Sequence, residues 1–206
     1  MKEKLLIIGA GGHGKVVADI ALRLNRWKSI YFLDDDESKK SLMGIKVIGK
    51  TVDVYRYTND HDIFIGIGNN EKRAEIQAKL EANGVSLPVL IHPNTVIGKD
   101  VQFGEGTIVM AGVLINCCSV IGKGCIINTG SIIDHDNAID DYVHISPGVR
   151  LAGMVRVGER SWLGIGSIVI NNKCITSNCI IGAGAVVVQD IKEPGTYTGV
   201  PAKKIN

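Results

Sequence analysis

Two hydrophobic rhythms divide the chain. In the first part, short apolar runs alternate with stretches of helical spacing. Leu5 to Ile8 reads as a buried strand, Gly9-Ala10-Gly11-Gly12-His13-Gly14 as a glycine turn, and Lys15 to Leu24 as a helix carrying Val16, Val17, Ile20, Ala21 and Leu24 on its apolar positions. Ile30 to Leu33, ending at Asp34-Asp35-Asp36, predicts a second strand, and Ile63 to Ile67 a third. Glu71 to Asn83 predicts a second helix, with Asn70 as its cap and Gly84 as its stop. Such alternation implies a small parallel sheet of half-Rossmann type. The unit spans roughly 85 residues, too few for a complete two-half dinucleotide domain.

From Ile91 the rhythm becomes sixfold. Cut in sixes, the blocks begin with Ile91, Ile97, Phe103, Val109, Ile115 and Ile121, and the apolar choice continues without a break to Val187, 17 blocks in all. At 45% apolar composition, chance would produce that run on the order of once in 10⁵. The fifth block position is small or slim, as in Thr107, Val113, Ser119, Cys125, Ser161 and Ala185, with Asn137 and Lys173 as exceptions. These are the marks of a hexapeptide β-helix. Each block supplies one short strand and one turn, three blocks close a coil of 18 residues, and coils stack about 4.8 Å apart. No insertion interrupts residues 91–192, so function must sit on the faces and corners of the prism. The predicted organisation is an α/β domain over residues 1–88 and a β-helix with a C-terminal tail over 89–206.

Composition narrows the partners. The 206 residues carry a formal net charge of +2 with no Lys/Arg run, so no nucleic-acid surface is expected. No apolar stretch reaches about 18 residues, which predicts no membrane insertion. The N-terminus lacks the pattern of a secretory signal, and the expected location is the cytoplasm. Five cysteines, Cys117, Cys118, Cys125, Cys174 and Cys179, form no CxxC pair. An odd count argues against a disulfide framework, and no metal is expected.

Seven motifs carry a resemblance that spans nearly the whole chain: GAGGHGKV at 9–16, FLDD at 32–35, IGNN at 67–70, NTGSIIDHD at 128–136, HISPG at 144–148, LAGMVRVG at 151–158 and GVPAKK at 199–204. By these the chain resembles the hexapeptide-repeat sugar acetyltransferases. It is most similar to bacterial enzymes that acetylate the 4-amino group of a UDP-4-amino-4,6-dideoxy sugar in bacillosamine synthesis. Relatives act on GDP-perosamine or O-acetylate sialic acid. The resemblance implies a left-handed coil, acetyl-CoA as co-substrate, a nucleotide-sugar acceptor and a homotrimer with sites between subunits.

Candidate residues follow. His135 stands third in its block, outside the core positions, and imidazole can accept a proton from an attacking amine near neutral pH. Asp136 would orient or stabilise the ring, where many family members carry Glu. Gly153 lies one coil after His135 and matches the family's oxyanion glycine; its backbone N–H would stabilise the tetrahedral intermediate. Asn128 would position the acceptor amine. The resemblance assigns His144, Ile165 and Ala183 to acetyl-CoA, and Lys203 and Lys204 are candidates for its phosphates. In the glycine loop, Gly11, Gly12 and His13 would face a sugar-nucleotide diphosphate at the start of a helix. Asp34 and Asp35 would accept hydrogen bonds from base or ribose, and Gly68 would allow close approach. Rival readings are sugar O-acetylation, N-acetylation of GDP-perosamine, a zinc hydratase of the γ-carbonic-anhydrase kind built on His92, His135 and His144, and a non-catalytic nucleotide sensor.

Overall fold

The computed structural model describes residues 2–205, and its internal contacts divide the chain after Leu90 into two units. The first unit is built on three parallel strands, β1 (Lys4–Ile8), β2 (Ser29–Leu33) and, after a short hairpin β3 (Ser41–Leu42) and β4 (Ile45–Lys46), β5 (His61–Ile65). Their order is β2-β1-β5. Helix α1 (Gly12–Leu24) follows β1, and α2 (Asn70–Ala82) follows β5. Side chains alternate across β1, so Leu6 and Ile8 join Ile76 and Leu80 of α2 in one core cluster, while Leu5 and Ile7, also fully buried, point to the opposite layer.

Boundaries moved where backbone geometry outweighed the apolar pattern. Helix α1 begins at Gly12 rather than Lys15, with Gly11 as its cap. The third strand runs two residues earlier than the apolar run implies. Gly66 still donates its amide to the Ile8 carbonyl at 2.7 Å, and it is glycine because a side chain there would strike Gly14 Cα at 3.0 Å and the Gly9 carbonyl oxygen at 3.1 Å. Asn69, not Asn70, caps α2: its Oδ1 accepts from the Lys72 amide at 2.8 Å, and Asn70 instead accepts from the buried Arg73 guanidinium. A 3₁₀ helix over Thr51–Arg56, with Val54 alone buried, left no periodic signal.

The second unit is a left-handed parallel β-helix of about six turns. Seventeen short strands end at residues 91, 97, 103 and so on to 187, each on the apolar residue that opens a block. Strands pair in parallel with the coil above in an eighteen-residue register, as Ile115 with Ile133 and Ile133 with Leu151. Three faces result, of six, five and eight strands. The first holds the strands ending at Ile97, Ile115, Ile133, Leu151, Val169 and Val187; the second follows in sequence at Phe103 and its stacked partners; the third carries Val109, Ile127, Ile145 and Leu163. The block-opening side chains fill the interior, with Ile115, Ile127, Ile133, Ile145 and Ile181 all at 0% exposure. Slim fifth-position residues close the corners, and at Thr107, Ser119 and Ser161 the hydroxyl bonds across, Thr107 Oγ1 donating to the Gly122 carbonyl at 2.7 Å.

The C-terminal segment closes the third face. Gly195–Thr198 pairs in parallel with Cys179–Ile181, and Lys203–Ile205 returns antiparallel to it. Lys204 Nζ is paired with Glu193 Oε2 at 2.9 Å, in a hairpin rather than a loose basic end. No helix among the described residues is long and apolar enough to cross a membrane.

Candidate active site

In the first unit, Gly11, Gly12, His13, Asp34, Asp35 and Gly68 line one cleft of about 310 Å³. Its glycines fall into two classes. Gly9 has a φ of +101°, and a Cβ on Gly14 would lie 2.0 Å from the Gly9 carbonyl oxygen, so these two serve the chain's own packing. A Cβ on Gly11 or Gly12 would meet nothing within 4 Å. The two carboxylates are held from within. Asp34 accepts the Ala10 amide at 2.6 Å on one oxygen and the Asp36 amide at 3.0 Å on the other, and Lys39 Nζ lies 3.2 and 3.3 Å from the pair. Both carboxylate oxygens are therefore engaged within the chain. Burial opposes ionisation of Asp34, but the amides and the ammonium outweigh it and hold the carboxyl below its usual range. Asp34 thus ties the glycine loop at Ala10 to the turn at Asp36 and Lys39. Asp35 gives one oxygen to the Thr51 amide at 2.8 Å.

In the second unit, His135 and Asp136 occupy the corner after the first face. From Asp100 to Gly184 the corners turn through left-handed residues, and at this one Asp136 has a φ of 57°. The turn brings Asp136 Oδ2 to 2.7 Å from His135 Nδ1. The bond to Asp136 is the main influence holding the imidazole above its ordinary value; partial burial opposes it, and the charges of Asp134 and Asp136 reinforce it. Asp134 Oδ1 accepts both the His135 amide at 2.9 Å and Asn116 Nδ2 at 2.7 Å. One coil on, a Cβ at Gly153 would lie 2.6 Å from His135 Nε2, so the imidazole fills the space that a side chain would take. No hydrogen bond to the Gly153 amide occurs among the described residues.

Asn137, which departs from the slim fifth-position pattern, has its reason here. Its buried Nδ2 reaches the carbonyls of Asp134 at 2.7 Å, Ala152 at 3.1 Å and His135 at 3.3 Å. It ties the turn that carries the imidazole to the coil that carries Gly153.

The remaining candidates gather elsewhere on the prism. Asn128 Nδ2 lies 3.2 Å from His144 Nε2, and Ile165 and Ala183 stack one coil apart at the corner after the third face, where Gly184 N donates to the Ile165 carbonyl at 2.9 Å. This corner and the corner of His135 flank the first face from its two sides. Lys203 and Lys204 lie in the terminal hairpin. Sequence reasoning passed over Trp162, which stacks on His144 with ring centroids 5.9 Å apart and 10° between planes, and donates to Ser146 Oγ at 2.8 Å. Its spacing of one coil from His144 was the available signal. Lys39 and Thr51 of the cleft gave none, since their roles come from contacts across the sheet end.

Residues 4–80 match the family described as the PglD N-terminal domain. The whole fold is similar to the acetyltransferase domain of PglB from Neisseria gonorrhoeae FA1090 in complex with acetyl coenzyme A, with a TM-score of 0.96, 41% identity and 100% of both chains covered. PerB from Caulobacter crescentus in complex with CoA and GDP-perosamine gives a TM-score of 0.93 at 38% identity, over 98% of this chain and 97% of that one. The UDP-N-acetylbacillosamine N-acetyltransferase of Bacillus subtilis (strain 168) is 35% identical over 114 residues, 53% of this chain and 52% of that protein, so the match spans about half of each. With both its repeat domain and its glycine-loop domain matched from end to end, the chain belongs to the hexapeptide-repeat sugar N-acetyltransferases.

Proposed function

We propose that the protein transfers an acetyl group from acetyl-CoA to the 4-amino group of a UDP-linked amino-deoxy sugar. The observation that carries the chemistry is the orientation of one imidazole. A ring that donates Nδ1–H to Asp136 keeps its lone pair on Nε2, beside Gly153. In the reaction, the amine nitrogen bonds to the thioester carbonyl carbon and its proton passes to His135 Nε2. The Gly153 amide donates to the oxyanion, and collapse expels the CoA thiolate, which takes up the proton. Asp136 stabilises the imidazolium that forms in between. No covalent acyl-enzyme is needed, because the acceptor amine is itself the nucleophile.

Residues 1–88 would hold the nucleotide sugar and residues 89–206 would carry the transfer. Open space above Gly11 and Gly12 suits a diphosphate approaching the start of α1, and Asp35 would meet the base or ribose. The acetyl-CoA and nucleotide-sugar complexes of the two similar structures support both ligands. A cytoplasmic location, where both substrates are made, fits the same reading.

A homotrimer is part of the proposal. His135 with Gly153 and the donor-side group of His144, Ile165 and Ala183 belong to different corners, and the first face between them bears an outward apolar column. Val96 is 63%, Ile132 36% and Ile168 40% exposed, with Arg150 interrupting the column between Ile132 and Ile168. Joining copies through these faces would bring one corner beside the other in a shared seam.

A GDP-linked acceptor is the second reading, favoured by the GDP-perosamine complex of PerB. Purified protein assayed for CoA release with UDP- and GDP-linked 4-amino sugars and with sialic acid separates them. Turnover on the UDP sugar is expected; turnover confined to the GDP sugar selects the second reading, and turnover on a hydroxyl alone sinks both.

A further inference from the structure

The glycine-loop cleft has a charge problem under the nucleotide-sugar reading. Asp34 and Asp35 both line it, and both accept backbone amides of their own chain. A nucleoside diphosphate brings several further negative charges to the same space. Lys39 is the only Lys or Arg among the residues lining the cleft.

Its placement is specific. The chain turns back at Asp36, whose Oδ1 accepts both the amide and the hydroxyl of Ser38, and the Lys39 amide donates to the Asp36 carbonyl at 3.1 Å. The ammonium then lies 3.2 and 3.3 Å from the two oxygens of Asp34 and 4.0 Å from Asp36. Charge-assisted bonds close to about 2.7–2.9 Å when unconstrained. Lys39 therefore straddles a carboxylate without closing on it, and an ammonium with three donors retains one for an arriving anion. Its side chain is 37% exposed, enough to be met from solvent, while Asp34 beneath it is 13% exposed.

We propose that Lys39 is a substrate-binding residue: held over Asp34, it neutralises the acidic wall of the cleft and donates to the diphosphate of the nucleotide sugar. This rests on the nucleotide-sugar reading above. Asp34 thereby acts as a positioning residue for both sides of the phosphate site, through the Ala10 amide on the glycine loop and through the Lys39 ammonium.

The test is isothermal titration of the full chain, wild type beside Lys39→Met and Lys39→Arg, with UDP, GDP, inorganic pyrophosphate, uridine and guanosine. Lys39→Met is expected to weaken whichever nucleoside diphosphate the wild type binds by about 10- to 100-fold, the range for a bond to a charged group. It should lose the pyrophosphate response and leave the parent nucleoside unaffected, with Lys39→Arg keeping most of the affinity. Diphosphate affinity within about twofold of wild type overturns the inference alone. An equal loss for nucleoside and diphosphate also overturns it, since Lys39 would then merely hold the cleft in shape. A wild-type protein that binds neither UDP nor GDP overturns the nucleotide-sugar reading itself, and this inference with it.

Discussion

His135 Nδ1 lies 2.7 Å from Asp136 Oδ2, although neighbours on a strand point to opposite sides. The contact exists because Asp136 adopts a φ of 57° at a corner of the prism. One acid fixes which nitrogen carries the hydrogen, and the missing side chain at Gly153 leaves room for the other nitrogen. Geometry that belongs to the repeat, the left-handed turn that recurs from Asp100 to Gly184, is thus what orients the imidazole.

The pairing sets a pH dependence. Asp136 holds the His135 imidazole above its ordinary 6.5, and the proposed base would work only when neutral, so activity is expected to fall as pH drops through the raised value. Asp136→Asn removes the anion and lowers that pKa. The acid limb of the kcat/KM profile should move to lower pH, and the plateau kcat should fall with the weaker base. A limb that stays in place or moves up contradicts the pairing.

The two classes of glycine should part experimentally. Gly14→Ala places a methyl 2.0 Å from the Gly9 carbonyl oxygen and is expected to lower unfolding stability in urea by about 1–3 kcal/mol. Gly12→Ala meets nothing within 4 Å and should cost under about 0.5 kcal/mol, yet weaken UDP or GDP binding. Equal destabilisation by both would show that the loop is purely structural.

Asn137→Val deprives the carbonyls of Asp134 and Ala152 of their buried donor. A stability loss of about 1–3 kcal/mol is expected, together with a lower kcat at unchanged nucleotide affinity. An unaltered kcat would mean that this tie does not hold the imidazole in place.

The prism could be read from the chain because each coil restates it. All seventeen strands end on the residue that the sixfold frame marks as interior, and a local error would have been outvoted by the next block. The α/β unit offers no such redundancy, and its element ends shifted by one to three residues under single contacts such as Asn69 to Lys72. The site was half legible. His135 and Gly153 were legible through the family resemblance of their motifs, but Asp136 reaches the ring only through a backbone angle, and Asn137 looked like a flaw in the pattern. Asp34 was recognisable as an acid at a strand end. That Ala10 and Lys39 would meet it depends on a loop returning over the sheet, which no local pattern records.

Mixed oligomers test the proposed shared seam. His135→Ala lacks the base at one corner, and Ala183→Trp blocks the exposed opposite corner. Each alone should be inactive. Co-assembled from separately tagged chains, they should recover part of the wild-type rate, because some seams would then join two intact corners. Mixtures as inactive as their parents would place the whole site on one chain.

The most direct measurement is the rate of CoA release by His135→Ala beside wild type, with a nucleotide-linked 4-amino sugar and acetyl-CoA. A fall of about 10²–10⁴ is expected, with nucleoside diphosphate binding unchanged. A His135→Ala protein that turns over as fast as wild type would contradict the account.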